Sequence, residues 1–343
     1  REEAKAAAPG IHWKLAKILV TGGAGFIGSH TVHVLKQRGH NVVVVDDLSK
    51  GYSHNVEPAR LRIARLQDTA AIADILKAER IDAVIHFAAF IAVGESTQVP
   101  EVYFENNFSG SLSLLTAMVQ AGVSKIVFSS TAAVYGEPSV SPIPEHLPYA
   151  SVSPYGDSKV MVEKLLGWMD QYRGIRSVIL RYFNACGAAP KHGLGEEHEP
   201  ETHLIPLMLR ATAGGKPLTI FGTDYPTPDG SCIRDYIHVL DLASAHDLAV
   251  EHLLDGGASD KFNVGTGHGL SVFEVLKAVE NVTGKVVPHS LGPRRSGDPA
   301  ALVADSSKLQ RAFGWKPEHS ELATVVRDAY EFEPIRLARA AKK

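Results

Sequence analysis

Val20-Thr21-Gly22-Gly23-Ala24-Gly25-Phe26-Ile27-Gly28-Ser29-His30 is the stretch on which the reading of this chain turns. A β-branched apolar run, Lys17–Val20, enters it, and an amphipathic segment from about Phe26 to Arg38 leaves it. Glycines 22, 25 and 28 therefore span a strand-to-helix turn. Without side chains the backbone there bends sharply and can approach a pyrophosphate, whose charge sits at the positive helix N-terminus. Tight turns also use glycine for conformational reasons alone, so the triad takes its meaning from the strand and helix beside it. A second strand, Asn41–Val45, ends at Asp46-Asp47. A carboxylate at that place accepts from ribose hydroxyls and repels a 2'-phosphate, which favours NAD over NADP. A solvated turn aspartate is the plainer alternative.

Working outward, short apolar strands keep alternating with amphipathic helices. Strands are expected at Leu61–Leu66, Ala83–Phe87, Lys125–Ser129 and Ser177–Leu180, and helices at Ala70–Ala78, Pro100–Ala121 and Pro154–Arg173. Near-continuous apolar strands separated by helices imply parallel pairing with right-handed crossovers and both sheet faces covered. The fold class is α/β, a doubly wound parallel sheet of the Rossmann type. After Asn184 the pattern turns loop-rich, with helices at Leu204–Thr212, Val239–Leu254, Ser271–Thr283 and Leu322–Phe332, and strands at Leu218–Phe221 and Lys261–Val264. This divides the chain into a dinucleotide-binding domain over 14–184, with 235–262 returning to it, and a smaller substrate lobe over 185–234 and 263–333. Segments 1–13 and 334–343 are Ala/Lys-rich and read as tails.

With 343 residues, 45% of them hydrophobic, the chain buries a substantial core, and a net charge of -3 gives no broad attraction for nucleic acid or anionic membrane. No apolar run reaches the ~20 residues needed to span a bilayer. Cytoplasmic location is the expectation. Cys186 and Cys232 lie in no metal-ligand spacing, and His192, His198 and His203 sit in a Gly/Glu/Pro-rich stretch as surface-loop residues rather than zinc ligands. No metal is expected.

Two further segments carry chemistry: Ser129-Ser130-Thr131 at a strand end, and Tyr155-Gly156-Asp157-Ser158-Lys159 opening a helix. Tyr155 and Lys159 share one helical face, so an ammonium can stand beside the phenol. Positive charge from Lys159 and an oxidised nicotinamide favours the phenolate and makes Tyr155 a general base near neutral pH.

With these motifs assembled, residues 17–332 resemble the UDP-glucose (UDP-galactose) 4-epimerase family of extended short-chain dehydrogenase/reductases. The matching segments are VTGGAGFIGSH at 20–30, VIHFAA at 84–89, VGES at 93–96, VYG at 134–136, SPYGDSKVMVE at 153–163, LRYFNACGA at 180–188 and PRRSGD at 293–298. The most specific is FGTDYPTPDGSCIRDYIHVLDLA at 221–243.

The resemblance implies an NAD-dependent isomerase in which Tyr155 is the base, Lys159 holds the nicotinamide ribose and Thr131 hydrogen-bonds the 4'-oxygen. It implies NAD contacts from Gly22, Gly25, Phe26, Ile27, Gly28, Asp46, Asp47, Phe87, Ala88, Ala89, Asn106, Ser129, Tyr155, Lys159 and Tyr182. UDP-sugar contacts fall on Asn184, His203, Leu204, Phe221, Arg234, Arg295, Asp298 and Leu302. Guanidinium forks suit a diphosphate, although an ion pair of Arg234 with Asp235 or Asp241 is a structural alternative. Hydride leaves C4' and returns to the other face, with no net redox change.

Several rivals stay in view. A 4,6-dehydratase is disfavoured because Ala132 and Ala133, without proton-transfer groups, follow Thr131, and a UDP-glucuronate decarboxylase would carry Glu at Ala133. UDP-pentose and UDP-N-acetylhexosamine epimerases share these motifs. A non-catalytic NAD-sensing protein would be expected to have lost Tyr155 or Lys159. The family also implies a homodimer through the helices Pro100–Ala121 and Pro154–Arg173, with Leu112, Leu115, Val162 and Leu165 as interface or core residues. Arg65 and Ile91 depart from the family, which has Asp and Lys there, and weaker retention of NAD is the expected consequence.

Overall fold

The structure, a computed structural model, describes residues 14–295 and 298–342; the segment 1–13 and Ser296-Gly297 of the PRRSGD motif lie outside the described residues. In chain order, β1 (Lys17–Thr21), α1 (Phe26–Gln37), β2 (Asn41–Asp46), β3 (Leu61–Ile63), α2 (Thr69–Ala78) and β4 (Ala83–His86) precede the short α3 (Val93–Ser96) and α4 (Pro100–Tyr103). A π-helical turn, Phe104–Ser109, joins α4 to α5 (Gly110–Ala121). Next come β5 (Lys125–Thr131), α6 (Pro154–Arg173), β6 (Arg176–Tyr182), β7 (Asn184–Cys186), α7 (Leu204–Thr212), β8 (Leu218–Phe221), β9 (Ile233–His238), α8 (Val239–Leu254) and β10 (Asp260–Val264). The remainder is β11 (Gly269–Ser271), α9 (Val272–Thr283), β12 (His289–Gly292), β13 (Ala301–Leu302), α10 (Ser307–Phe313) and α11 (Leu322–Ala340).

Valine-rich strands buried on both faces form a seven-stranded sheet in the order β10-β6-β5-β4-β1-β2-β3, every pair parallel. One face is covered by α1 and α8, through Val32, Leu35, Leu242, Ala249 and Leu253. The other is covered by α2, α5 and α6, through Ile72, Leu76, Leu114, Met118, Val162 and Leu166. Each such aliphatic side chain contributes roughly 1.5–3 kcal/mol when fully buried. Because the strands are parallel, their carboxyl ends share one edge, and the glycine turn, Asp46, Phe87, Thr131 and Tyr182 all arrive there. In doubly wound sheets that edge is where ligands bind.

The later half builds a second core around α7, α9, α11 and a small sheet in which β9 lies between β11 and β13 and also pairs with β7. Strand β9 stays with this small sheet; the chain returns to the large one through α8 and β10.

Three expectations change in detail. The strand from Leu61 stops at Ile63 instead of Leu66, and the helix over Pro100–Ala121 is broken by the π-helical turn. Residues 334–340 are not a tail, because α11 runs through Pro334 to Ala340. Arg339 anchors that extension by donating to Glu197 at 2.6 Å and to the Gly193 carbonyl at 2.8 Å, and Arg336 pairs with Glu333 at 2.8 Å. Among the described residues no helix is long and apolar enough to cross a membrane.

Candidate active site

The glycine turn is shaped by close backbone packing. Gly22 has φ +70° and donates to the Val45 carbonyl at 2.9 Å, locking the turn to β2. A Cβ on Gly22 would lie 2.6 Å from the Ala88 nitrogen, and one on Gly28 would run into the Gly22 carbonyl. Gly25 differs: a Cβ there would meet only the Gly22 oxygen, at 3.4 Å. It caps α1 with no side-chain hydrogen bond, so the first-turn N–H groups of the helix keep their capacity for an anion. Phe26 and Ile27 open α1, and Phe87, Ala88 and Ala89 follow β4 across the turn.

Asp46 is buried at the end of β2, accepting from Ala24 N at 3.0 Å and Leu48 N at 2.8 Å. Burial pushes its carboxyl up, and the two backbone bonds oppose that. Asp46 therefore braces the turn and presents its remaining lone pairs at the place where a ribose would arrive. Asp47 is exposed and accepts from its neighbour Ser49.

Thr131, Tyr155 and Lys159 meet between β5 and α6. Ser153 caps α6 by accepting from Gly156 N at 3.1 Å, with Pro154 preset for the first turn. Lys159, buried, reaches back to donate to the Ser129 carbonyl at 2.9 Å, with its ammonium 5.0 Å from the centre of the Phe128 ring. Burial pulls Lys159 down to about 7, against the raising effect of Glu163. The Ser129 hydroxyl hydrogen-bonds the Tyr182 hydroxyl.

Tyr155 departs from expectation in one respect. Burial pushes its phenol above the ordinary value, and the group that lowers it is the Thr131 hydroxyl, through a hydrogen bond. Lys159 fastens α6 to the strand, because the same helical face points its ammonium at the Ser129 carbonyl of β5.

Several supporting groups were not anticipated. Asn107, in the π-helical turn, brackets Phe90, accepting from its N–H at 2.8 Å and donating to its carbonyl at 3.0 Å, and donates to Ser158 at 3.1 Å. Asn106, the residue expected here, donates to Asn107 at 3.1 Å. His86 links Thr21 at 2.7 Å to Ser111 at 2.8 Å, and burial with nearby Lys159 pushes its imidazole down to about 3. Glu163, one turn beyond Lys159, forms a fully buried ion pair with Arg181, which also donates to Tyr135 at 2.8 Å.

The substrate lobe brings the remaining residues into two groups joined by the small sheet. Asn184, His203 and Leu204 line one cavity with Tyr236, its partner across β7 and β9. In the other, Arg295 stacks on Phe221 at 4.1 Å, Arg234 pairs with Asp298, and Leu302 stands opposite Arg234. Neither alternative partner engages Arg234. Asp235 accepts from Thr266, Gly267 and Ala304, and Asp241 from Glu318, His319 and Ser320. Leu302 packs against a cluster holding Ala132, Val134 and Val160, so the residues after Thr131 put methyl groups beside the reacting edge. Arg65 and Ile91 are both exposed, and Gln67 donates weakly to the Glu105 carbonyl at 3.4 Å.

The sequence model of the NAD dependent epimerase/dehydratase family matches residues 18–265. The chain belongs to this family. A UDP-glucose 4-epimerase of Halalkalibacterium halodurans is 49% identical over 316 residues, covering 92% of this chain and 95% of that protein. Among solved structures, UDP-glucose 4-epimerase from Brucella ovis in complex with NAD superposes with a TM-score of 0.90 at 44% identity, over 92% of this chain and 97% of that one. UDP-glucose 4-epimerase from Bifidobacterium longum in complex with NAD+ and UDP gives 0.87 at 38% identity, over 93% and 98%.

The epimerase/dehydratase assignment agrees with the chain's own chemistry. The open face at Gly25, the uncapped start of α1 and the Asp46 carboxylate fit a dinucleotide.

Proposed function

We propose that this protein catalyses reversible 4'-epimerisation of a UDP-hexose, between UDP-galactose and UDP-glucose, through a 4'-keto sugar. The observation that carries the reading is the meeting of Thr131, at the end of β5, with Tyr155 and Lys159, in the first turns of α6, at the carboxyl edge of the sheet, Lys159 being anchored to the Ser129 carbonyl. In the opposing lobe, Arg234 and Arg295 hold the diphosphate, and Asn184, Leu204 and Phe221 hold the uridine. Thr131 hydrogen-bonds the 4'-oxygen and Tyr155 takes the 4'-hydroxyl proton as the C4'–O bond becomes a carbonyl. NAD, when bound, would supply the hydride acceptor and donor at C4'. The arginine clamp secures the nucleotide end alone, which leaves the keto sugar free to turn its other face. Tyr155 then returns the proton to the 4'-oxygen. Ala132 and Ala133 carry no acid or base to expel a 6'-hydroxyl, which favours epimerisation over dehydration.

Incubating purified protein with UDP-galactose and separating the 4'-epimers by chromatography tests the reading. UDP-glucose is expected from the wild type, with a loss of about 10²–10⁴-fold in Tyr155→Phe. Undiminished turnover in that variant would overturn the assignment of the base.

The working unit we propose is a cytoplasmic homodimer. Support for the location comes from two buried free thiols, Cys186 and Cys232, which suit a reducing compartment. Support for the dimer comes from the outer faces of α5 and α6. Leu115 and Val162 face the core, but Leu112, Val119, Met161, Trp168 and Tyr172 are exposed, the last three following α6 at helical spacing. A monomer in light scattering at micromolar concentration would reject this.

A further inference from the structure

Between β7 and α7 the chain turns back on itself so that four metal-binding side chains face one another. Their ligand atoms, one each from Glu196, His198, Glu201 and His203, all lie within 4.8 Å of one another. His198 Nδ1 stands 2.8 Å from Glu196 Oε1 and 3.9 Å from Glu201 Oε1. His203 Nδ1 is 3.6 Å from Glu201 Oε1 and pairs with Glu196 Oε1, so both imidazoles turn Nδ1 toward the same carboxylate oxygen. Glu196 is buried, and the Glu201 side chain is 1% exposed. Arg210 and two backbone N–H groups hold the Glu201 carboxylate in place. The third histidine of this stretch, His192, stands apart against His33.

A surface-loop arrangement would leave these side chains in water and pointing apart. Here two carboxylates withdrawn from solvent converge on two imidazoles whose ring centres are 5.1 Å apart. A divalent cation at their centre gives the buried Glu196 carboxylate and the two Nδ1 atoms facing it one shared partner. Mixed nitrogen and oxygen donors, two of them histidine, suit zinc and not magnesium or calcium, which take all-oxygen sets.

We propose that Glu196, His198 and His203 bind a zinc ion, with Glu201 closing the fourth side. Its role is structural, because it lies at the meeting point of both ligand sites. His203 caps α7 and lines the cavity shared with Asn184 and Leu204, while the His198 ring sits edge-on to Phe26, the first residue of α1, at 6.2 Å. The metal therefore ties the loop that forms one wall of the substrate lobe to the helix that opens the dinucleotide site.

The test is elemental analysis of full-length protein purified without a metal-affinity step, exposed to zinc and desalted. About one zinc per chain is expected in the wild type, and less than about a tenth of that in His198→Ala and in Glu196→Gln. A chelator should lower the wild-type melting temperature and leave that of His198→Ala unchanged. Should either variant fold poorly, cobalt decides the matter on the wild type alone, since a four-coordinate site of this composition gives intense visible absorption that zinc abolishes. Wild-type protein that holds no more zinc than His198→Ala, or that gives no such cobalt band, overturns the proposal.

Discussion

Arg181→Met should be among the most damaging single changes in the chain, although Arg181 is not assigned to either ligand. Its guanidinium, wholly buried, donates to Glu163 at 2.5 Å and 3.0 Å, to Tyr135 at 2.8 Å and to the Glu145 carbonyl at 3.3 Å. Removing it leaves the Glu163 carboxylate buried with only Ser130 at 2.5 Å and Tyr149 at 2.9 Å as donors. Breaking a buried pair in this way costs about 3–5 kcal/mol, and the two remaining hydroxyl donors place this case near the lower end. That is a large share of the roughly 5–15 kcal/mol by which folded proteins are stable. Glu163→Leu should cost a similar amount by stranding the guanidinium. The double variant strands neither charge, so it should be more stable than the sum of the single losses by about 2 kcal/mol or more. Urea unfolding of the four proteins, monitored by fluorescence, measures the coupling. Strict additivity, or a loss under about 1 kcal/mol in Arg181→Met, would refute the claim that this pair fastens α6 to the sheet.

Burial holds Lys159 at about 7 in the folded protein against 10.5 for the free side chain. Between those values the unfolded chain binds the extra proton, so this group makes stability rise with pH, and its penalty is complete below about pH 7. The wild-type stability minus that of Lys159→Met should therefore climb from pH 7 upward, by at most about 1.4 kcal/mol per pH unit, and parallel profiles would contradict it. Leu302, packed beside Ala132, should set the room for a sugar 2'-substituent, so Leu302→Tyr is expected to lower activity on UDP-N-acetylglucosamine relative to UDP-glucose; an unchanged ratio would remove it as the gate. Arg65, exposed, has no acceptor for the adenine amine, and Ile91, also exposed, stands where the family has a lysine near the cofactor, so the loss of one or two polar bonds should cost roughly 5- to 150-fold in NAD affinity. Dialysed enzyme should regain activity on added NAD, and a full complement of nucleotide surviving extensive dialysis would contradict this.

The parts of the site legible in the sequence are those whose chemistry is local. The glycine turn, Asp46, Thr131 and the Tyr155/Lys159 pair each sit at the end of a strand or the start of a helix, where periodicity changes and boundary residues stand out. The parallel, doubly wound character of the large sheet follows the same logic, since apolar strands alternate with helical crossovers along the chain. The small sheet was illegible because β7, β11 and β13 are only two or three residues long and are defined by distant partners. The π-helical turn at Phe104–Ser109 keeps an uninterrupted helical composition, so nothing marks the extra residue that turns Asn107 inward. The Ala/Lys-rich composition of 334–343 reads as a tail, but packing and the Arg339–Glu197 pair carry α11 past Pro334 to Ala340. The Glu163–Arg181 pair and the Glu196/His198/Glu201/His203 cluster exist only once the chain is folded.

In the proposed reaction one hydride leaves C4' and returns to it while Tyr155 moves the proton. UDP-galactose carrying deuterium at C4', incubated in ordinary water and followed by mass spectrometry and NMR, reads out that hydride. UDP-glucose with the deuterium retained at C4' is expected. Epimer formed with the label lost to solvent would rule out a returning hydride.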